Sequence, residues 1–172
     1  LHFKEVFSRW DSAFANKGWL SIFLANHDQA RMVSRFGNDS PQFREVSSKI
    51  LSTFIMTMRG TPYFYNGDEL GMTNPGFEKI EDYRDMPTLN EYQHQQDIGG
   101  DLGKFMQRIK FECRDNGRTP FQWDSTLHAG FTNGTPWIAV NPNYNEINRA
   151  IQENDPNSCL SYFKRLVRLR NS

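Results

Sequence analysis

The stretch that decides the fold is residues 19–28, WLSIFLANHD. Its first seven residues form a short, nearly unbroken apolar run, which is typical of a parallel strand covered on both faces. The run leads directly into Asn26, His27, Asp28 and Gln29. Because active sites in parallel α/β folds lie at the carboxyl ends of the strands, His27 and Asp28 are candidate functional residues. Alternatively, Asp28 caps a turn and His27 is a hydrogen-bonded core residue.

Helical patterns flank this run on both sides. Before it, apolar residues at helical spacing predict an amphipathic helix that stops at Gly18. After it, Ser40 and Pro41 supply an N-cap and a first-turn proline for a second helix, which ends at Gly60. The apolar positions are Phe3, Val6, Phe7, Trp10 and Phe14 in the first helix, and Phe43, Val46, Ile50, Leu51, Phe54, Ile55 and Met58, on one face, in the second. Residues 61–66, TPYFYN, then indicate a second strand, and the alternation of helix and strand is typical of a parallel α/β sheet or barrel.

The alternation breaks from Gly67 to Asn157, where we expect a long loop with one or two short helices. A loop of this length inside a compact domain is usually functional. A last helix is predicted over Ser158–Arg170. The inward positions are Leu102, Phe105, Met106 and Ile109 in the clearer loop helix, and Leu160, Phe163, Leu166 and Val167 in the last helix. Two strands cannot form a stable parallel sheet alone, so the chain looks incomplete, and we expect it to self-associate.

Composition excludes several classes of partner. The chain has 20 Lys+Arg and 20 Asp+Glu residues and no net charge, which argues against nucleic-acid binding. It has no run of 18 apolar residues and no apolar signal core in its first ten, so we expect no membrane span and a cytoplasmic location. Cys113 and Cys159 are more simply two free thiols than a disulfide. Aromatic residues make up 14% of the chain; most should be core, but Trp and Tyr also stack on sugar rings.

Two further polar clusters are candidate sites. Asp68 and Glu69, in the segment 67–71 after the second strand, are either catalytic acids or braces of a tight glycine turn. The cluster RDNGRTP, residues 114–120, is either a binding element, in which arginine bonds to hydroxyls or carboxylates, or a surface ion-pair network. The four histidines are scattered, so no metal site is predicted, and no glycine-rich phosphate loop follows a strand.

Taken together, these segments resemble the α-amylase superfamily of glycoside hydrolases, and within it the oligo-1,6-glucosidase and α-glucosidase group. The similarity runs in order along nearly the whole chain, which makes it far more specific than any one motif. The segments that carry it are FLANHDQARMVSRFGND (23–39), GTPYFYNGDELGMTN (60–74), FEKIEDYRD (77–85), CRDNGRTPFQWD (113–124), HAGFTNGTPWIAVNPNYNEIN (128–148) and SCLSYFKRLVRLRNS (158–172). Phe121 stands where the group usually has Met, and Ala25 where it often has Glu.

The resemblance implies that residues 1–172 are the C-terminal quarter of a (β/α)8 TIM barrel, an α/β fold, from helix six to helix eight, with a long loop after strand eight. It places the nucleophilic Asp, the acid/base Glu and the B domain upstream of this chain, and the C-terminal β-sandwich after Ser172. It also implies retaining hydrolysis of α-glucosidic bonds in oligosaccharides, with no cofactor and no metal. Alternatives are a sucrose isomerase or trehalose synthase of the same family, or a sugar-binding relative without catalysis.

The resemblance gives roles to three residues. Asp28 is similar to the third carboxylate, which stabilises the transition state by gripping hydroxyls of the cleaved sugar. His27 is similar to its hydroxyl-binding neighbour. Arg118 is similar to the arginine that closes the blind end of the pocket, and its charge calls for a carboxylate partner, which we expect from upstream loops.

Overall fold

The computed structural model describes residues 2–172, with side chains from Lys4 onward, so the predicted apolar position Phe3 lies outside the described side chains. The first helix ends at Phe14 rather than Gly18, whose N–H bonds to the Phe14 carbonyl through a turn. The helices are α1 (His2–Phe14), α2 (Met32–Phe36), α3 (Arg44–Thr57), α4 (Met86–Asp97), α5 (Leu102–Glu112), α6 (Asp115–Arg118), α7 (Arg149–Glu153) and α8 (Cys159–Arg170), and the strands are β1 (Ser21–Ile22) and β2 (Thr61–Pro62). None of the described helices is long and apolar enough to cross a bilayer.

The two strands pair in parallel, as predicted, with Ser21 opposite Thr61 and Ile22 opposite Pro62. The Thr61 N–H donates to the Leu20 carbonyl at 2.7 Å. Both strands are shorter than the predicted runs, 19–25 and 61–66. The Tyr63 N–H still donates to the Ile22 carbonyl at 2.8 Å, so Pro62, whose missing N–H would face away from β1, does not interrupt their pairing.

The prediction that β1 is covered on both faces is wrong for the described chain. Ile22 and Leu24 are buried, but Phe23 between them is 44% exposed, and Tyr63 beyond β2 is 55% exposed. Side chains alternate between the two faces of a strand, so one face of this pair packs against helices while the other faces outward. The buried face forms a core with Met32, Val33, Leu51 and Ile55.

Helix α3 differs from its prediction in its start and its buried face. It begins at Arg44 after a turn, so Ser40 is not its N-cap. Phe43, Val46 and Ile50, predicted to face inward, are exposed. The buried face consists of Ser48, Leu51, Ser52, Ile55 and Met56. Apolar residues occur on more than one side of this helix, and packing against β1 and α8, rather than the pattern itself, decides which side is buried.

The segment after β2 contains more helix than predicted. The predicted helix around Phe105 and Ile109 is present as α5, with both residues buried. Helix α4 was not predicted, because its twelve residues are mostly polar and none is buried. The sequence marks the N-terminus of this helix but no apolar face: Asp85 is its N-cap, and Pro87 lies in its first turn.

The predicted last helix, Ser158–Arg170, is confirmed as α8. Ser158 caps α8 by accepting the Ser161 N–H, and Leu160 and Leu166 are buried. Arg170, near the end of α8, donates to backbone carbonyls between α3 and β2, including that of Met58 at 3.0 Å. Both cysteines are buried free thiols, as expected.

Candidate active site

The loop after β1 presents His27 and Asp28 at the surface. Asn26, rather than Asp28, makes the turn, since its side-chain oxygen accepts the Asp28 N–H at 2.8 Å. The side chains of His27 and Asp28 are 73% and 50% exposed. The alternative of a turn cap beside a core histidine is therefore wrong, and both side chains are open to a ligand.

The Asp28 carboxylate is held on one side and open on the other. Its Oδ1 accepts from Arg114 Nη1 at 3.2 Å and from Arg118 Nη2 at 3.0 Å. Its Oδ2 lies 3.3 Å from His27 Nε2. Two guanidinium groups thus fix one oxygen, while the other can accept hydrogen bonds from a bound hydroxyl.

Arg118 uses all three of its guanidinium nitrogens. Nε donates to the His27 carbonyl at 2.8 Å, Nη2 to Asp28, and Nη1 to Asp85 Oδ1 at 3.3 Å. Asp115 Oδ1 lies 3.7 Å from Nη1. The expectation that upstream loops supply the carboxylate partner of Arg118 is wrong, because its partners belong to this chain. The alternative of an ion-pair network is present in part: Arg114 and Arg118 pair with half-exposed Asp28, but their other partner, Asp85, is buried rather than at the surface.

Asp85 is a member of this site to which sequence analysis assigned no role. Its Oδ1 accepts from Arg114 Nε at 2.9 Å and Nη2 at 2.6 Å, besides Arg118. Its Oδ2 accepts the N–H of Thr88 at 3.2 Å and the Thr88 hydroxyl at 2.7 Å. Burial alone would raise the pKa of Asp85, but the hydrogen bonds from Thr88 and Arg114 outweigh it and hold the pKa below its usual value. The capping pattern before α4 could have identified Asp85 as a cap, but not as an arginine partner.

Asp115 holds the backbone of Asp85 in place. It is fully buried, and its Oδ2 accepts the backbone N–H groups of Arg84 at 2.6 Å and Asp85 at 2.8 Å. The cluster contains three carboxylates, Asp28, Asp85 and Asp115, and two guanidinium groups, those of Arg114 and Arg118. A site with excess negative charge favours a cationic or electron-poor ligand over an anionic one.

The second candidate cluster, after β2, has a structural role. Asp68 Oδ2 accepts the Tyr65 N–H, and Glu69 Oε2 accepts the Gly67 N–H, both at 2.9 Å. Gly67 is in the left-handed region, with φ 98°, where a Cβ would meet Met72 Sδ at 2.4 Å. Burial raises the pKa of Asp68 to about 7, against the opposing charge of buried Arg31. These acids brace the turn that follows β2.

Two cavities lie at the loop after β1, and one of them is lined by Asp28 itself. One of about 330 Å³ is lined by Asp28, Gln29, Ala30, Arg35, Phe111 and Glu112. A second, of about 350 Å³, includes Ala25, Phe23 and Tyr63 on the exposed face of the strands. Phe121, the other departure from the group's pattern, is instead a core residue. Within residues 2–172, no three His, Cys, Asp or Glu side chains are grouped to hold a metal ion.

Comparison with known proteins identifies relatives along the whole chain. A family model described as the alpha amylase catalytic domain matches residues 1–172. The chain is 51% identical to an oligo-1,6-glucosidase of Parageobacillus thermoglucosidasius over 168 residues, covering 97% of this chain and 30% of that protein. It is 45% identical to a trehalose-6-phosphate hydrolase of Bacillus subtilis, covering 99% of this chain and 30% of that protein.

Solved structures of related proteins also superpose closely on this chain. The isomaltulose synthase of Erwinia rhapontici superposes with a TM-score of 0.94 at 45% identity, covering 98% of this chain and 30% of that one. The isomaltulose synthase of a Klebsiella species superposes with a TM-score of 0.93 at 43% identity, with the same coverage. The chain thus spans about 30% of the length of the curated relatives it matches.

Proposed function

Since the chain belongs to the alpha-amylase catalytic-domain family, we propose that it is the part of a retaining α-glucosidase that holds the Asp28 side of the active site. The observation that carries this proposal is the asymmetric Asp28 carboxylate. Arg114 and Arg118 hold its Oδ1, while its Oδ2 receives no bond from either arginine and lies 3.3 Å from His27 Nε2, in a side chain that is half exposed. A carboxylate held in this way is suited to grip sugar hydroxyls in a fixed orientation.

The proposed fold of the parent protein is a (β/α)8 barrel, of which this chain is the last quarter. In it, α1 is helix six, β1 is strand seven, α3 is helix seven, β2 is strand eight and α8 is helix eight. The parallel pairing of β1 with β2 and their outward aromatic face support this assignment, because a barrel interior would cover that face. The B domain and the β-sandwich then lie outside residues 1–172.

The proposed reaction is retaining hydrolysis of terminal α-glucosidic bonds in oligosaccharides. One carboxylate outside this chain attacks the anomeric carbon while a second protonates the departing oxygen, and water then releases the glucose. Asp28 holds hydroxyls of the cleaved glucose and stabilises the positive charge of the transition state, and His27 binds a neighbouring hydroxyl. Arg118 closes the end of the pocket around the terminal glucose. This chemistry uses no cofactor, and a cytoplasmic location is part of the same proposal.

A second candidate is a sucrose isomerase, and the similarity to isomaltulose synthases favours it specifically. Such an enzyme returns the glucosyl group to another hydroxyl of the departing sugar instead of water. The identity to oligo-1,6-glucosidases is higher, which is why hydrolysis comes first. A trehalose synthase or a sugar-binding relative without catalysis remains a further alternative, and the ordered partners of Asp28 weigh against loss of catalysis.

Product analysis tests the proposal. The full-length protein that contains this chain is incubated separately with isomaltose, maltose and sucrose, and the products are separated by chromatography. We expect free glucose from isomaltose or maltose. Conversion of sucrose into an isomeric disaccharide with little glucose would support the isomerase instead, and no turnover of any of the three would exclude both enzymes.

A further inference from the structure

We infer that Asp85 is a positioning residue for the reaction, because it holds Arg114 and Arg118 in the orientation that fixes Asp28. The inference rests on the proposed function for its effect on turnover. The geometry behind it is independent of that function. Asp85 itself does not reach the open side of the site, since only 4% of its side chain is exposed.

The two arginines lie between a buried carboxylate and an exposed one. Arg114 directs Nε and Nη2 to Asp85 and Nη1 to Asp28. Arg118 directs Nη1 to Asp85 and Nη2 to Asp28. A guanidinium group is planar, so bonds on two of its edges fix both its position and its rotation. Without the inner partner, Arg114 keeps a single contact, with Asp28, and can turn on it, whereas Arg118 still bonds to both Asp28 and the His27 carbonyl.

Asp85 is itself held firmly enough to serve as this inner partner. Its Oδ2 caps α4 through Thr88, and its own N–H is fixed by Asp115 Oδ2. One oxygen thus anchors the carboxylate to a helix while the other receives three N–H groups from the two arginines. Hydrogen bonds from Thr88 and Arg114 overcome the effect of burial and keep the pKa of Asp85 low, so the group stays charged in the neutral range.

Removing the charge of Asp85 should therefore act on Asp28 from a distance. Arg114 would then bond to Asp28 alone and would follow its motion rather than restrict it, while Arg118 would keep the His27 carbonyl as its other contact. The Asp28 side chain would reach sugar hydroxyls in more than one orientation. The proposed hydrogen bonds from sugar hydroxyls to Asp28 are stronger in the transition state than in the ground state. The loss of activity should therefore appear mainly as a lower kcat.

The test compares Asp85→Asn with a matched control in the full-length protein. Asp101→Asn is the control, because Asp101 caps α5 by accepting the Lys104 N–H and contacts neither arginine in the described chain. We expect Asp85→Asn to lower kcat/KM on isomaltose by about 100-fold, mainly through kcat, and Asp101→Asn to change it by less than about threefold. Asp85→Ser is a second variant, which keeps a good helix cap but removes the charge, and it should lose activity to a similar extent.

A double-mutant cycle separates positioning from general destabilisation. If Asp85 acts through Arg114, the losses from Asp85→Ser and Arg114→Lys should overlap, so that the double variant loses clearly less than their product. Losses that multiply, or a folded Asp85→Ser protein with normal turnover, would overturn the inference.

Crystal structures separate this inference from the proposed function. In the Asp85→Ser protein we expect Arg114, which loses two of its three bonds, to leave its position, so that the 3.2 Å contact between its Nη1 and Asp28 is lost or lengthened. An unchanged arginine pair would overturn the inference even in an active enzyme. Absence of turnover in the unsubstituted full-length protein would instead exclude the proposed function, and the arginine positions would still decide the role of Asp85.

Discussion

Arg118 donates from Nη2 to Asp28 Oδ1 at 3.0 Å, across 90 residues of sequence. A second bond, from Arg118 Nε to the His27 carbonyl at 2.8 Å, fixes the backbone of the same loop. The loop after β1 and the segment after α5 are thus joined by both a side chain and a backbone contact. Arg118 therefore ties both the carboxylate and its loop to this segment, and Arg114 adds a second bond to the same carboxylate oxygen.

The first prediction concerns Asp28 in the full-length protein. Asp28→Ala should lower kcat/KM for isomaltose by on the order of 10³-fold or more, equivalent to about 4 kcal/mol, because the transition state loses its hydroxyl-gripping carboxylate. The free energy of unfolding should change by less than about 1 kcal/mol, since the side chain is half exposed and Asn26 makes the turn. Steady-state kinetics and denaturant unfolding on one variant measure both quantities.

Asp11→Ala is the control for Asp28, because Asp11 also pairs with an arginine, Arg59, at a partly exposed position outside the site. It should leave turnover unchanged. Near-normal turnover of Asp28→Ala would exclude the transition-state role of this residue.

Resemblance to family motifs predicts roles for His27 and Asp28, at the end of a predicted strand, and for Arg118, in the long loop, and the structure brings these three residues together. It did not identify Asp85, although that residue lies within a matched segment. The reason is physical: Asp85 gains its place through contacts with Arg114 and Arg118, about thirty residues further along the chain. A capping pattern describes only neighbours in sequence, so it cannot show which distant charge a buried cap also serves.

Helices could be predicted from sequence where their apolar residues lie on a single face. Helix α8 combines a serine cap with a clear apolar stripe, and it was predicted almost to the residue. Helix α3 has apolar side chains on several sides, so only its neighbours decide that Leu51 is buried and Ile50 exposed. Helix α4 has no buried residue at all, and its stability depends on its capped start and its packing against α5.

The second prediction concerns pH and Asp68 in the full-length protein. Its pKa in the folded state, about 7, lies above its ordinary value of 3.8, so the folded protein keeps a proton that the unfolded chain releases. The free energy of unfolding should therefore fall as pH rises between these values and become level above about pH 7. Asp68→Asn cannot ionise, so its thermal midpoint should fall less between about pH 5 and pH 8. Asn at the exposed position Asp39 is the control, and equal pH slopes for all three proteins would contradict the prediction.

The third prediction concerns the 172-residue chain by itself. It should not release p-nitrophenol from p-nitrophenyl α-glucoside, because the proposed nucleophile and acid/base lie outside it and retaining hydrolysis needs two carboxylates about 5–5.5 Å apart. The full-length protein at the same concentration is the positive control. Release above the blank by the short chain, abolished by Asp28→Ala, would place the missing groups within these residues.

The fourth prediction concerns association of the same short chain. Trp19, Phe23 and Tyr63 are exposed on and beside the strand pair, and such a surface favours association in water. Sedimentation velocity should detect dimers or larger species, and replacing Phe23 and Tyr63 by Ser should reduce them. Leu169→Ser, at an exposed site on α8, should not. A compact monomer that melts cooperatively would be the opposite result.

The last prediction concerns Arg118 and substrate length. A pocket that accepts only a chain end needs a wall that also satisfies the terminal hydroxyls, and a guanidinium group offers both bulk and five donors. Arg118→Ala should therefore remove hydrogen bonds and open the blind end together.

Asp85 keeps its bonds from Arg114, so no buried carboxylate is left without a partner. We accordingly expect kcat/KM for a disaccharide to fall by roughly 30-fold, or about 2 kcal/mol, and that for a long glucan to fall less, because the opened wall lets the chain pass. Arg149→Ala is the control, since the Arg149 side chain forms a partly exposed pair with Glu153 one helical turn away, worth less than about 1 kcal/mol. Equal and small losses on both substrates, matching those of Arg149→Ala, would mean that Arg118 does not close the pocket.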